Sequence, residues 1–281
     1  MKERGITLIE LLVTLAISAI LVAGIYKTFI SQQHTYAVQE QVVDVQQNVR
    51  IAINQMMREL RMAGYGIDSK FWDEYTGADP LHGKYKNAIT PEDGGQKVTI
   101  VSALLQATTL ASNADSGSNT LLLNDASIFD IAGKKYFSIN GIESHRIKSI
   151  TYNVDGDKDQ ISLFPGVTLT QDHKAGDPVF MILAVTYSLG VVDGKTCLLR
   201  DENLGDGAQP VAENIESLQF QYVMNTGETL VDVPANRRDD IRMVQATVIA
   251  KTAQTDPEYK ENGGYRRRTL SSMVKLRNLG T

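Results

Sequence analysis

Two different periods divide the chain near residue 66. From Ile6 to Ile25 it reads ITLIELLVTLAISAILVAGI, an apolar run interrupted by one charge, Glu10. About 20 such residues is the length a helix needs to cross the hydrocarbon of a bilayer. Past Tyr26 polar residues enter, but apolar positions recur at gaps of three and four: Val42, Val45, Val49, Ala52 or Ile53, Met56, Leu60, Ala63. This spacing marks one stripe of a helix, with Gln, Asn, Arg and Glu filling the other face. No proline occurs before Pro80. Residues Ile6 to Ala63 as a single helix span roughly 87 Å at 1.5 Å per residue. Gly64 and Gly66 are expected to end it. The stripe is short for a coiled coil and has no partner segment, so it is expected to pack on the chain's own sheet.

Beyond Gly66 the pattern changes to period two, in short runs bounded by turn residues. The predicted strands are Lys97–Ala103, Thr120–Leu123, Lys135–Ile139, Ile147–Val154, Gln160–Phe164, Val179–Ser188, Thr196–Arg200, Leu218–Val223, Met243–Thr252 and Thr269–Leu276. Asn140-Gly141 and Asp155-Gly156 are turn signals. Five short strands crowd the segment 119–182, which reads as an inserted small β-subdomain of barrel-like character. The last strands are expected to form the antiparallel sheet that covers the helix. Residues 66–96 and 253–264 read as polar, Gly-rich loops. The fold class expected is α+β.

Charge gives the apolar run a direction. Lys2 and Arg4 precede it, which places the N-terminus in the cytoplasm and the rest across the membrane. A secretory signal peptide has an uncharged core followed by a small-residue cleavage site, whereas here a helical pattern continues straight on. A plain signal anchor explains the span but not Glu10, since a carboxylate at mid-depth costs about 2.5–3.5 kcal/mol. The buried helix of a soluble protein is a poor match for this length and apolarity.

Gly5-Ile6-Thr7-Leu8-Ile9-Glu10-Leu11-Leu12-Val13-Thr14-Leu15, behind a short basic leader, resembles the class III signal of type IV prepilins. The resemblance implies cleavage by a prepilin peptidase between Gly5 and Ile6, N-methylation of Ile6, and Glu10 as fifth residue of the mature chain. One departure is Ile6, where the family usually has Phe. The offset also has a physical reading: Glu10 lies one helical turn from the new amine, on the same face. It is near a helix N-terminus, where the macrodipole favours negative charge. An amine and a carboxylate so placed neutralise each other between neighbouring subunits, which makes Glu10 a docking group.

Four further stretches resemble the PilW-type minor pilins: Arg58-Glu59-Leu60-Arg61-Met62-Ala63-Gly64-Tyr65-Gly66, the run from Gln209 to Tyr222, and the C-terminal Asp239–Val244 and Tyr265–Leu270. The middle, roughly 70 to 180, is less recognisable. The resemblance implies the type IV pilin fold. It also implies a non-enzymatic minor pilin that primes pilus assembly, sits at the pilus tip and serves motility or adhesion. Its domains are a leader at 1–5, an assembly helix at 6–25, an amphipathic continuation at 26–63 and a head at 64–281. Its partners are the prepilin peptidase, other minor pilins, the major pilin and the inner-membrane assembly platform. It passes from a single-pass inner-membrane form, head in the periplasm, to the pilus at the cell surface. A pseudopilin of a type II secretion system shares the same N-terminal features. A signal-anchored enzyme or binding domain is the reading from another class, and it leaves Glu10 and Gly5 without a purpose.

Composition removes several alternatives. The chain has 281 residues, and its net charge of −5 argues against nucleic-acid binding. Arg266, Arg267 and Arg268, with Lys275 and Arg277, read as a solvated strand edge. The single cysteine, Cys197, cannot form an intrachain disulfide and reads as a buried strand residue. Gly190-Val191-Val192-Asp193-Gly194-Lys195-Thr196 mimics a phosphate loop but has three residues between its glycines where four are needed, so it reads as a hairpin. His34, His82, His145 and His173 share no ligand spacing, and each reads as a surface or strand residue. Asp155, Asp157 and Asp159 alternate as in calcium loops, but Gln160 stands where that pattern needs glycine. They are a candidate calcium site set against a bland hairpin tip, and no other cofactor is implied.

Overall fold

The computed structural model describes residues 7–68, 87–130 and 135–278. The bond between Gly5 and Ile6 therefore lies outside the described residues, as does His82.

The helical stripe forms one helix, α1, Leu8–Met62. Its 55 residues extend roughly 82 Å at 1.5 Å per residue. It ends where the glycines stand. The Gly64 amide donates to the Val101 carbonyl at 3.0 Å, and the Tyr65 carbonyl accepts from the Ala103 amide at 2.9 Å. Gly66 has φ +71°, and a Cβ there would lie 2.6 Å from the Ala103 Cβ, so only glycine lets the chain pass this close to a strand.

Thirteen strands follow: β1 (Ile89–Glu92), β2 (Lys97–Thr109), β3 (Thr120–Leu123), β4 (Tyr136–Ile139), β5 (Glu143–Asp155), β6 (Lys158–Leu163), β7 (Pro178–Val192), β8 (Lys195–Asp201), β9 (Gln209–Glu213), β10 (Ile215–Met224), β11 (Thr229–Leu230), β12 (Ile241–Lys251) and β13 (Arg267–Lys275). Their pairings are antiparallel. A nine-stranded sheet runs β1-β2-β7-β4-β5-β6-β3, with β8 and β9 branching from β7; a four-stranded sheet runs β11-β10-β12-β13. β7 is long enough to pair with β2 along one edge and with β4 and then β8 along the other. A bridge between Leu110 and Leu123 brings β3 back beside the end of β2, supported by Ala111 N donating to Leu122 O at 2.7 Å. Strands β2, β7, β4, β5, β6 and β3 thereby form a ring. It draws on the end of β2 as well as on the segment 119–182.

The C-terminal half of α1 packs on β12 and β13 and touches β2 and β9. Val45, Val49, Ala52, Ile53, Met56 and Leu60 are buried there. They share one apolar core with Leu218, Phe220 and Tyr222 of β10, with Val244 and Val248 of β12, and with the ring interior at Leu121, Phe137 and Ile161. Val42, at the start of the stripe, is half-buried. The result is the α+β arrangement expected of a type IV pilin fold: a long N-terminal helix packed on antiparallel sheet.

The expected loop at 66–96 contains β1, and β9 and β11 were also not predicted. Both β1 and β9 contain a proline, Pro91 and Pro210. Each is an edge strand, where a missing N–H costs no ladder bond. Strand β11 has only two residues. Glu59, expected on the solvated helix face, is buried.

The helix face predicts the behaviour of the head alone. A fragment beginning at Ser31 removes the apolar run and keeps the buried stripe, so it is expected to be soluble and to unfold cooperatively in denaturant. Val49→Asp in that fragment puts an unpaired carboxylate into the core, and the cooperative transition is expected to be lost. A fragment that aggregates, or one indifferent to Val49→Asp, contradicts this packing.

Candidate functional site

The first half of α1 is the part of the molecule without an internal partner. Leu8, Ile9, Leu11, Leu12, Leu15, Ile20 and Ile25 are all exposed, and nothing from Leu8 to Gln33 is buried. Among the described residues, α1 is the helix long and apolar enough to cross a membrane. Two of its threonine hydroxyls are satisfied within the helix. Thr14 Oγ1 donates to the Glu10 carbonyl at 3.0 Å, and Thr28 Oγ1 to the Gly24 carbonyl at 3.0 Å. Such back-bonding suits an apolar surround, where an unsatisfied polar group is costly.

Glu10 closes the helix with a capping box. The Thr7 amide and the Thr7 hydroxyl both donate to Glu10 Oε2 at 2.9 Å, and the Glu10 amide donates to Thr7 Oγ1 at 3.3 Å. Both residues lie beyond the expected cleavage point, so trimming after Gly5 leaves the box intact. Both of these bonds go to Oε2, which leaves Oε1 able to meet a donor from elsewhere. A carboxylate is thus held at the tip of a long apolar helix, where the macrodipole favours it.

Farther along the helix, Glu59 locks α1 to the nine-stranded sheet. Its carboxylate accepts from Tyr187 Oη at 2.9 Å, Arg200 Nε at 3.0 Å and Gln55 Nε2 at 3.0 Å. Burial first, then the adjacent Glu59 carboxylate, push the Tyr187 hydroxyl well above its ordinary pKa.

A second buried cluster brings His145 and His173 together on one carboxylate. Glu143 accepts from His145 Nε2 and His173 Nε2, both at 2.8 Å, and from the Thr170 amide at 2.6 Å. It ties the start of β5 to the segment before β7. The pair Glu143 and His145 at i, i+2 share a strand face, a signal the sequence did carry; His173 had none. Burial by itself raises the Glu143 carboxyl, but the hydrogen bonds from His145, His173 and Thr170 outweigh it and bring it down to about 2. A folded value below the unfolded one contributes stability above about pH 4.5 that is lost as pH falls through about 2. Denaturant midpoints are therefore expected to drop across that window, and Glu143→Gln is expected to remove this part of the drop. An unchanged slope in the variant would show that other carboxylates carry the acid sensitivity.

The arginine run is also not uniformly solvated. Arg266 grips Asp256 with Nε at 3.0 Å and Nη2 at 2.7 Å, which holds Asp256 below the usual carboxylate range. Arg267 grips Glu216 with Nη2 at 2.7 Å and also Nε. Arg268 is exposed. His34 lies 3.5 Å from Asp256 and joins the helix to this corner.

The aspartates of the candidate calcium loop are not brought together. Asp155 and Asp157 are exposed at the β5–β6 tip. Asp159 turns inward, accepting from the Ala126 amide at 2.8 Å and the Asn153 amide at 3.1 Å. Among the described residues no group of three or more His, Cys, Asp or Glu side chains is placed to hold a metal ion. The phosphate-loop mimic is a hairpin: Val192 pairs with Lys195, and Asp193 and Gly194 take φ of 49° and 76°, as a tight β-turn requires. Cys197 is a free, buried residue of β8.

Residues 1–26 match the family described as the prokaryotic N-terminal methylation motif. Among solved structures, a type IV-like pilin from Thermus thermophilus aligns over 83% of this chain and 97% of its own, at 10% sequence identity and a TM-score of 0.31. Comparison of the sequence with curated proteins finds no match.

Proposed function

We propose that this chain is a PilW-type minor pilin, a structural subunit that primes assembly of a type IV pilus and sits at its tip. The observation that carries the reading is the first half of α1: an apolar, unpartnered helix bearing one capped carboxylate, within the stretch that matches the methylation motif. An apolar helix of this length has two stable surrounds, lipid and other helices of the same kind, and a pilin passes from the first to the second. Residues 1–5 are the leader removed by the prepilin peptidase between Gly5 and Ile6. The span 6–25 anchors the subunit in the inner membrane and later lies among the helices of neighbouring minor and major pilins. Residues 26–63 carry the helix into the periplasmic head, 64–281. Glu10 supplies the counter-charge for a neighbour's amine.

Two measurements test this. Intact-mass spectrometry of the membrane-extracted protein is expected to show a chain beginning at Ile6, with or without one added methyl group. A retained Met1, or a start after Ala23, removes the basis of the proposal. The protein is also expected in filaments sheared from cells that lack the type II secretion system, and to be missing from those that lack the pilus assembly platform. The opposite pattern favours a secretion pseudopilin, which shares the N-terminal chemistry.

A further inference from the structure

We propose that the free edge of β13 accepts an extended, acid-rich segment of another protein chain as an added strand. β13 is the last strand of the four-stranded sheet. Its ladder with β12 runs from Met243↔Lys275 to Lys251↔Arg267 without a register shift. The ladders of β10 with β12, β2 with β7 and β5 with β6 all contain shifts. There is no proline in β13, and among the described residues no strand pairs with its other edge. A regular edge of nine residues offers main-chain N–H and C=O groups in order for a further strand. Leu270 and Met273 stand exposed on it, on opposite faces of the strand.

Charge decides which occupant fits. From Tyr265 to Arg277 the chain has five Arg or Lys and no acidic residue, in a protein of net charge −5. Two of the five are neutralised, Arg266 by Asp256 and Arg267 by Glu216. Arg268, Lys275 and Arg277 are exposed, and none has a carboxylate partner among the described residues. A second copy of β13 laid alongside brings these cations against each other, and like charges on neighbouring strands are destabilising. Cations on an edge keep stray strands away; a strand of opposite charge is the one they do not repel. The start of the strand also opens onto a groove of about 660 Å³ between α1 and the loop before β13, lined by Val38, Val42, Tyr259 and Arg268 among others. It gives room for the end of an incoming segment that runs past Arg268. The inference concerns the head and stands apart from the assembly reading.

The test uses the full chain in mild detergent and a labelled eight-residue peptide of alternating glutamate and valine. Two comparison peptides accompany it: one with lysine replacing each glutamate, and one methylated on every main-chain nitrogen, which keeps its charges but donates to no ladder. Saturable binding of the glutamate peptide is expected, at least tenfold tighter than either comparison, with amide-exchange protection at residues 267–275. Arg268→Glu with Lys275→Glu is expected to weaken it at least tenfold. Absence of saturable binding, equal binding of the methylated peptide, or protection confined to other strands overturns the proposal. Self-association of the chain with protection at β13 assigns the edge to a second copy and overturns it as well. The methylated peptide keeps the test decisive if the charge-reversed variant misfolds.

Discussion

Glu10→Ala is expected to give normal amounts of trimmed, membrane-embedded protein that is strongly depleted from sheared filaments. Insertion depends on the summed apolarity of Ile6 to Ile25, and removing a carboxylate only increases it. Loss of the capping box with Thr7 costs about 0.5–2 kcal/mol, which a helix held in lipid tolerates. On the proposed function assembly differs, because a pilin subunit moves into a filament core packed with apolar helices. There the Ile6 amine of one subunit needs a counter-charge, and a buried charge left unpaired is destabilising by about 3–5 kcal/mol. Glu10 is the only acidic residue between Ile6 and Ile25. Glu10→Asp is expected to be partly defective, since the shorter side chain loses reach. Quantitative immunoblots of membrane and sheared fractions check both variants. Wild-type levels of Glu10→Ala in filaments would mean that the carboxylate serves only its own helix cap.

Glu59→Ala is expected to be the most damaging single change outside the apolar core in the head and the helix packed on it. It leaves the Tyr187 hydroxyl, fully buried, and the Arg200 Nε without their shared acceptor. Arg200 keeps Glu202 at 2.7 Å, but that carboxylate lies toward solvent. Breaking a buried ion pair from one side costs about 3–5 kcal/mol, a large part of the roughly 5–15 kcal/mol that holds a domain folded. Tyr187→Phe removes one hydrogen bond to a charged group and is expected to cost about 1–3 kcal/mol. Glu59→Gln keeps an acceptor and is expected to fall between. Denaturant midpoints of the Ser31 fragment and its variants provide the measurement. A Glu59→Ala midpoint equal to that of wild type would show that the helix is held by its apolar stripe alone.

The helix was legible because its signal is local and repeated. Val45, Val49, Ala52, Met56 and Leu60 recur at the helical period, and each is buried. The ten predicted strands all exist, because alternation against a core is also a local pattern. Their ends were less legible. Strand β5 begins four residues before the prediction, at Glu143, since a polar Glu-Ser-His start hides burial that comes from hydrogen bonding. Strands β1 and β9 were hidden by proline, whose cost vanishes at an edge.

By itself, then, the sequence determined the elements that answer to short-range rules: one uninterrupted helix, its apolar first half, the single carboxylate one turn from Ile6, and a β-rich head with turns at Asn140-Gly141, Asp155-Gly156 and Asp193-Gly194. Only the tertiary structure decided which polar groups meet. Glu59 is separated from Tyr187 by 128 positions and from Arg200 by 141. Glu143 reaches His173 across 30 positions, and Arg267 reaches Glu216 across 51. No period links residues so far apart. Their pairing depends on which strands lie side by side, and that follows from burying the whole apolar core at once. The same placement separated Asp159 from Asp155 and Asp157, neutralised two of three consecutive arginines, and left the edge of β13 open.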